Sequence, residues 1–113
     1  MHEYAITESI IDIVSEEAKN AGAGRISKIK LVIGELSTIM DESVEMYFDI
    51  ISRGTIAEGA KLVFTRVAAE FECRACKIRY NKKNNGFFCP VCGDMGTPTD
   101  IGKEFYIESI EIE

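Results

Sequence analysis

The order of hydrophobic periods along the chain predicts an α+β fold of two helices and a small three-stranded sheet, carrying an inserted cysteine-rich module. Three observations predict it. Apolar residues recur at helical spacing in residues 6–18, and alternation with a period of two follows in residues 26–33. Two Cys-x-x-Cys pairs then fall between the last two predicted strands, so the cysteines interrupt one body instead of extending it. With 113 residues, 46% hydrophobic and 28% charged, the chain has the composition of an ordinary soluble domain with one modest core.

Each element has its own signal. Ile6, Ile10, Ile13, Val14 and Ala18 form one apolar stripe down a helix, with Glu8, Asp12, Glu16 and Lys19 on other faces. Gly22 and Gly24 stop it, since glycine takes the left-handed conformation that ends helices. Ile29, Leu31 and Ile33 then face one way and Lys28 and Lys30 the other, a half-buried strand. Gly34 and the polar Ser37 and Thr38 mark a loop. A second helix is expected from Asp41, whose carboxylate suits the N-cap, with Val44, Tyr47, Phe48 and Ile51 on its inner face and Gly54 beyond its end. Met46 and the nearby Met40 are expected to pack as well. A second strand is expected over 61–70 and a third over 104–113. The third changes phase between Ile107 and Ile110, as a β-bulge near Glu108 and Ser109 would produce. If the last two strands pair, the sheet brings together the ends of the insertion.

Charge divides the chain where the cysteines do. Residues 70–103 hold six basic and four acidic residues, a net of +2, while seven basic against fifteen acidic ones leave the remainder at −8. The expected domains are therefore 1–69 plus 104–113 for the body and 70–103 for the module. The overall charge of −6 is the wrong sign for neutralising phosphates, which argues against nucleic acid, and an acidic body suits a cation better. No apolar run approaches the ~20 residues of a membrane span, and the N-terminus lacks the pattern of a signal peptide. A cytoplasmic chain without a membrane partner is expected.

Cys73 and Cys76 pair with Cys89 and Cys92 as two metal-binding knuckles separated by twelve residues. Together they offer the tetrahedron of sulfur that Zn(II) prefers in structural sites, on a zinc-ribbon-like module. Asn84, Asn85 and Gly86 would turn the chain between the knuckles, and Phe87 and Phe88 would form the returning strand. So short a segment has too few apolar residues to fold without a staple. Disulfides are disfavoured in a cytosolic chain, and a thioredoxin-like pair needs a strand-to-helix setting that Pro90 and Gly93 do not offer. An iron–tetrathiolate electron carrier is the more serious rival, distinguishable by its red colour.

The single histidine is His2. A terminal His is ordinarily solvated and idle. Here, however, the Met1 amine, the His2 amide nitrogen and the His2 imidazole can close fused chelate rings, with the Glu3 backbone nitrogen beside them. Four nitrogens in a plane favour Ni(II) or Cu(II) over Zn(II). The first amides of a helix have no carbonyl partner, so deprotonating one breaks no helical hydrogen bond.

The opening Met1-His2-Glu3 before an amphipathic helix, the run Ile33-Gly34-Glu35-Leu36-Ser37 and the Cys73/Cys76, Cys89/Cys92 pattern together resemble the HypA family of nickel-insertion metallochaperones, which mature [NiFe]-hydrogenases. The resemblance spans essentially the whole chain. It implies a nickel-binding α+β domain with an inserted zinc domain, and His2 as the essential Ni(II) ligand beside the Met1 amine and the backbone nitrogens of His2 and Glu3. It implies tuning or partner contact for the Glu3 carboxylate, and a candidate nickel-side carboxylate at Asp41. It also implies a HypB-type GTPase partner, delivery to the hydrogenase large subunit and, for some members, a role with urease maturation proteins. Such a protein exchanges ligands and is not an enzyme. No second His, nucleophile motif or phosphate-binding loop argues otherwise. The competing reading is a zinc-ribbon interaction adaptor without a physiological nickel role, for which the local positive charge and Lys82 and Lys83 speak.

Overall fold

The computed structural model describes residues 2–81 and 86–113, with His2 as backbone only. Two helices and six strands follow in the order α1 (His2–Asn20), β1 (Ile26–Gly34), α2 (Asp41–Ile51), β2 (Lys61–Val67), β3 (Glu70–Cys73), β4 (Arg79–Asn81), β5 (Gly96–Pro98) and β6 (Phe105–Ile112). They make two three-stranded sheets, ordered β2-β1-β6 and β4-β3-β5. The chain divides into two compact units: Met1–Val32, Thr38–Thr65 and Tyr106–Glu113 in one, Ile33–Ser37 and Arg66–Phe105 in the other. The second unit thus takes in five residues from the end of β1 and the loop after it, far in sequence from the cysteines.

In the first unit α1 packs on α2. Ile10, Val14 and Ala18 of α1, Ile29 and Leu31 of β1, and Val44 and Phe48 of α2 are all buried. The rings of Tyr4 and Tyr47 meet edge to face at 5.4 Å and 82°. The stripe on α1 is rotated from the expected one: Thr7 and Ile11 are buried, and Ile13 is 53% exposed. Met40 and Met46 also lie at the surface, 54% and 53% exposed, instead of packing. Asp41 is not the N-cap of α2. Met40 occupies that position without a side-chain cap, and Asp41 is the first helical residue, where its charge still complements the helix dipole.

The strand following α2 runs beside β1 in the same direction. Ile26 donates its N–H to the Ile56 carbonyl before β2, and Glu35 donates to the Val67 carbonyl at its end, at 2.9 and 2.8 Å. β6 is antiparallel: Arg25 and Glu113 exchange both backbone hydrogen bonds, and Gly34 N–H donates to Glu104 O at 2.7 Å. The two strands that flank the cysteine-rich segment therefore do not pair with each other; β1 lies between them. Central placement explains why β1 is the most buried strand, with both faces covered over its last half. In β6 partial burial falls at Phe105 and Ile107, then at Ile110, so the alternation slips where the sequence changes phase.

The expected strand over 61–70 is two strands. β2 ends at Val67, and β3 begins at Glu70 in the other sheet. What lies between is a backbone crossing. In the second unit Glu35 N–H donates to Val67 O, the Glu35 carboxylate accepts Ala69 N–H at 2.7 Å, and Leu36 N–H donates to Gly102 O at 2.7 Å. The Glu104 carboxylate accepts Gly102 N–H at 2.8 Å. Segments 34–36, 67–69 and 101–104 thereby form one clasp. Their approach is so close that a Cβ at Gly34 would lie 2.1 Å from the Gly102 carbonyl carbon, and one at Gly102 2.6 Å from Ala69 Cα. Glycine is required at 34 by this contact with backbone, which has nowhere to yield.

Gly34→Ala is expected to destabilise the protein by about 3 kcal/mol, the upper part of the range for overpacking. Gly24→Ala, where an added Cβ would meet nothing within 4 Å, should change stability by less than ~0.5 kcal/mol. Urea unfolding followed by circular dichroism compares the two, and equal midpoints would refute the clasp as a packing constraint.

Candidate metal centre

The first Cys-x-x-Cys lies at the tip of the β3–β4 hairpin. β3 and β4 are antiparallel with Phe71 opposite Tyr80 and Glu72 opposite Arg79, so the chain between them must reverse over residues 73–78. Cys73 N–H donates to Ile78 O at 2.9 Å, Lys77 N–H donates to Cys73 O at 3.1 Å, and Cys76 N–H points at the Cys73 sulfur at 3.3 Å. The same pattern recurs at residues 88–95. Phe88 bridges Met95, Cys89 N–H donates to Asp94 O at 2.7 Å, Gly93 N–H donates to Cys89 O at 2.9 Å, and Val91 N–H approaches the Cys89 sulfur at 3.4 Å. The second cysteine pair is thus a structural repeat of the first. Phe88 contributes to it as one bridge residue, not as the expected returning strand. Of the expected turn, Asn84 and Asn85 lie outside the described residues, as do Lys82 and Lys83.

Both turns need one residue with positive φ, four positions after the first cysteine. In the second it is Gly93 at 78°; in the first it is Lys77 at 64°, the only non-glycine residue in that region among the described residues. A side chain there costs roughly 1–2 kcal/mol. The Cys-x-x-Cys-Gly spacing around Cys89 was the signal that could have located the strained position in the first turn.

The two turns bring all four sulfurs within 4.8 Å of one another, with Cys73 and Cys92 at 3.5 Å. Metal–thiolate bonds of about 2.3 Å in a tetrahedron hold sulfurs about 3.8 Å apart, so the set fits one four-coordinate ion. Cys73 and Cys89 form the buried side and Cys76 and Cys92 the exposed side. Four thiols this close cannot all ionise alone. The Cys76 N–H holds the Cys73 thiol down to about 7 against its burial, while Cys76 is pushed up to about 12 by its hydrogen bond to Cys92, by burial and by the charge of its neighbours. A divalent cation removes that mutual penalty.

A small core lies under the site: Ala69, Phe71, Cys73, Tyr80 and Cys89, with Ile78 packed against them. The Phe71 ring meets Phe87 edge to face at 5.2 Å and lies 6.0 Å from Tyr80. Tyr80 donates its hydroxyl to the Phe87 carbonyl, tying β4 to the approach of the second turn. Burial, then the charges of Cys89, Cys73 and Cys92, raises its pKa and keeps that donor proton in place. Gly96 makes room for the ring, since a Cβ there would lie 2.0 Å from the Tyr80 oxygen. No sequence motif marked Tyr80 or Gly96. The ion pairs of Arg79 with Glu70 and Glu72, at 3.2 and 3.7 Å, are exposed and add little.

Of the other expected site residues, Met1 and the His2 side chain lie outside the described residues. Glu3 stands in the first turn of α1, where its carbonyl accepts the Thr7 hydroxyl. Asp41 opens α2. No helix among the described residues is long and apolar enough to cross a membrane.

Comparison with known proteins agrees with this architecture. The family model described as "Hydrogenase/urease nickel incorporation, metallochaperone, hypA" matches residues 1–112. A hydrogenase maturation factor HypA from Caldanaerobacter subterraneus subsp. tengcongensis is 48% identical over 114 residues, covering all of both chains. One from Dehalococcoides mccartyi is 42% identical, over all of this chain and 95% of that one. The solution structure of a HypA protein superposes with a TM-score of 0.72 at 25% identity, covering 100% of this chain and 97% of the other. That of the nickel metallochaperone HypA from Helicobacter pylori shares the fold, with a TM-score of 0.64 at 23% identity over 97% and 96% of the two chains.

The repeated turns carry predictions of opposite sign. Lys77→Gly should stabilise the metal-loaded protein by about 0.5–1 kcal/mol, and Gly93→Ala should destabilise it by about 1 kcal/mol. Thermal unfolding at fixed metal saturation measures both, and a shift of the same sign for both would overturn the equivalence of the turns.

Proposed function

The chain belongs to the HypA family of nickel-incorporation metallochaperones, and from that membership we propose that it binds Ni(II) at its N-terminus and helps insert it into a [NiFe]-hydrogenase large subunit. The observation that carries this reading is that the chain's one histidine stands at position 2, inside a match that begins at residue 1. The proposed donors are the Met1 amine, the His2 imidazole and the backbone nitrogens of His2 and Glu3. α1 starts at His2, so these amides belong to the first turn, whose N–H groups have no carbonyl partner within a helix. Losing such a proton to form an amidate breaks no helical hydrogen bond. Asp41 is a secondary candidate ligand.

The proposed activity is ligand exchange. Nickel is cargo, held in a plane of nitrogen donors and released by protonation or by docking on a partner, and no bond of a substrate is made or broken. The proposed partners are a HypB-type GTPase and the hydrogenase large subunit, with urease maturation proteins as a further route, in the cytoplasm. Residues 70–103 are proposed as a zinc domain in which Cys73, Cys76, Cys89 and Cys92 hold Zn(II), and residues 1–69 with 104–113 as the nickel domain. Soft thiolates and a closed four-sulfur set suit structural zinc, which supplies a cross-link that so small a core lacks. The competing reading, an adaptor that uses only its zinc module, is favoured by one feature: Phe88, Val91 and Met95 around the second turn are 49%, 72% and 49% exposed.

A nickel titration of untagged, zinc-loaded protein separates the two. The parent should bind one Ni(II) with a planar d–d absorption band, whereas His2→Ala and a version with one residue added before Met1 should lose it at unchanged zinc content. Equal binding by all three would move the reading to the adaptor. Protons compete with metal for an amine of pKa ~7.7–8.0 and an imidazole of ~6.5, so nickel affinity should fall as pH drops from 8 to 6. A flat profile would exclude the amine–imidazole site. For the zinc domain, Cys73→Ser should lower zinc content below one per chain and abolish the cooperative melting of residues 66–105. Retention of both would show that the four sulfurs are not the metal site.

A further inference from the structure

Among the described residues the sheet of the first unit ends at β6, which hydrogen-bonds to β1 on one side only. Beside its free edge runs a groove of about 360 Å³ lined by Ile13, Val14 and Glu17 of α1 and by Ile107, Glu108, Ser109 and Ile110 of β6. Four consecutive strand residues line it. The groove therefore follows the strand itself, at the edge of the sheet. Its apolar wall is open to solvent, with Ile13 53% exposed. This is the same Ile13 that the helical stripe assigns to the core.

Charge selects the occupant. Glu17 and Glu108 make no ion pair among the described residues, whereas Glu111 is held by Lys28 at 3.5 Å and Glu113 by Arg25 at 3.3 Å. The only two charged residues lining the groove are thus acidic and available. A second copy of β6 would set Glu108 against like charge. The groove beside β2 differs: Glu45, Asp49 and Lys61 line it, so its charge is mixed. An extended segment with basic residues fits the β6 groove in both respects. Its backbone would continue the ladder, and the basic side chains on its groove-facing side would meet Glu17 and Glu108.

We propose that the free edge of β6 and the groove between it and α1 form a docking site for an extended, basic segment of a partner protein, which adds to the sheet as a further strand. Acidic residues on an edge also discourage indiscriminate pairing, and here the same charges supply selectivity for a basic strand.

The test uses the full-length, ¹⁵N-labelled protein and the peptide acetyl-Lys-Val-Lys-Val-Lys-Val-amide. Amide shifts should concentrate in β6 and in residues 13–17 of α1. A Glu-Val peptide of the same pattern should bind about tenfold more weakly. A Lys-Val peptide with alternate backbone nitrogens methylated on its docking edge keeps the charge but lacks the ladder donors, and should also bind about tenfold more weakly. Combining Glu17→Lys with Glu108→Lys should reverse the preference toward the Glu-Val peptide. Because the methylated peptide is read on the unaltered protein, failure of the double variant to fold does not remove the test. Equal binding of the methylated peptide would show charge attraction without strand addition. That outcome, shifts centred elsewhere, or no shift at about 1 mM peptide would each overturn the site.

Discussion

Where Gly34, Ala69 and Gly102 meet, three stretches of backbone pass too close for any side chain to separate them. The chain enters the cysteine-rich segment through residues 67–69 and returns through 101–104, and both stretches are held by residues 34–36. Backbone hydrogen bonds from Glu35 and Leu36 and the two carboxylates of Glu35 and Glu104 satisfy amides that would otherwise be stranded in this crossing. A long insertion needs its ends fixed, or the entropy of its loop opposes whatever order it contains. In a sheet whose outer strands do not touch each other, the clasp fixes them. It also accounts for two residues of the short Gly-Glu-Leu run, Gly34 by the close approach and Glu35 by its carboxylate, while Leu36 contributes a backbone N–H.

The metal centre solves a related problem at the other end of the same unit. Five buried residues with one packed neighbour make a very small core, and two of the five are cysteines. Such a core gains little from hydrophobic burial, so an ion shared by the four sulfurs would act as a structural member. The second cysteine turn repeats both backbone hydrogen bonds of the first, and the two differ in the residue that must take positive φ. Glycine does so freely in one turn and Lys77 under strain in the other. Tyr80 joins the halves through its hydroxyl, and Gly96 exists to let the ring lie there.

The first unit shows how one pattern can serve two purposes. Ile13 has the spacing of a core residue, yet it lies exposed beside the free edge of β6, while Thr7 and Ile11 take the buried face. The helix stripe was legible because a 3.6-residue period is local. Its rotation by part of a turn was not, because that depends on which neighbour covers the helix. Met40 and Met46 were misjudged for the same reason: periodicity locates a helix but does not say how far around it the core extends.

By itself the sequence determined the two helices, the central strand, the four-sulfur ligand set and membership of the family, because each rests on spacing within a few residues or on motifs in fixed order. The tertiary structure alone decided that β1 separates the strands flanking the insertion, that the strand expected over 61–70 breaks into two, and that Met40, not Asp41, precedes α2 at its cap. It also decided the roles of Gly34, Tyr80 and Gly96. These depend on contacts between residues tens of positions apart, where a missing Cβ or a buried hydroxyl has meaning only through the atom it meets, and no local period encodes that atom.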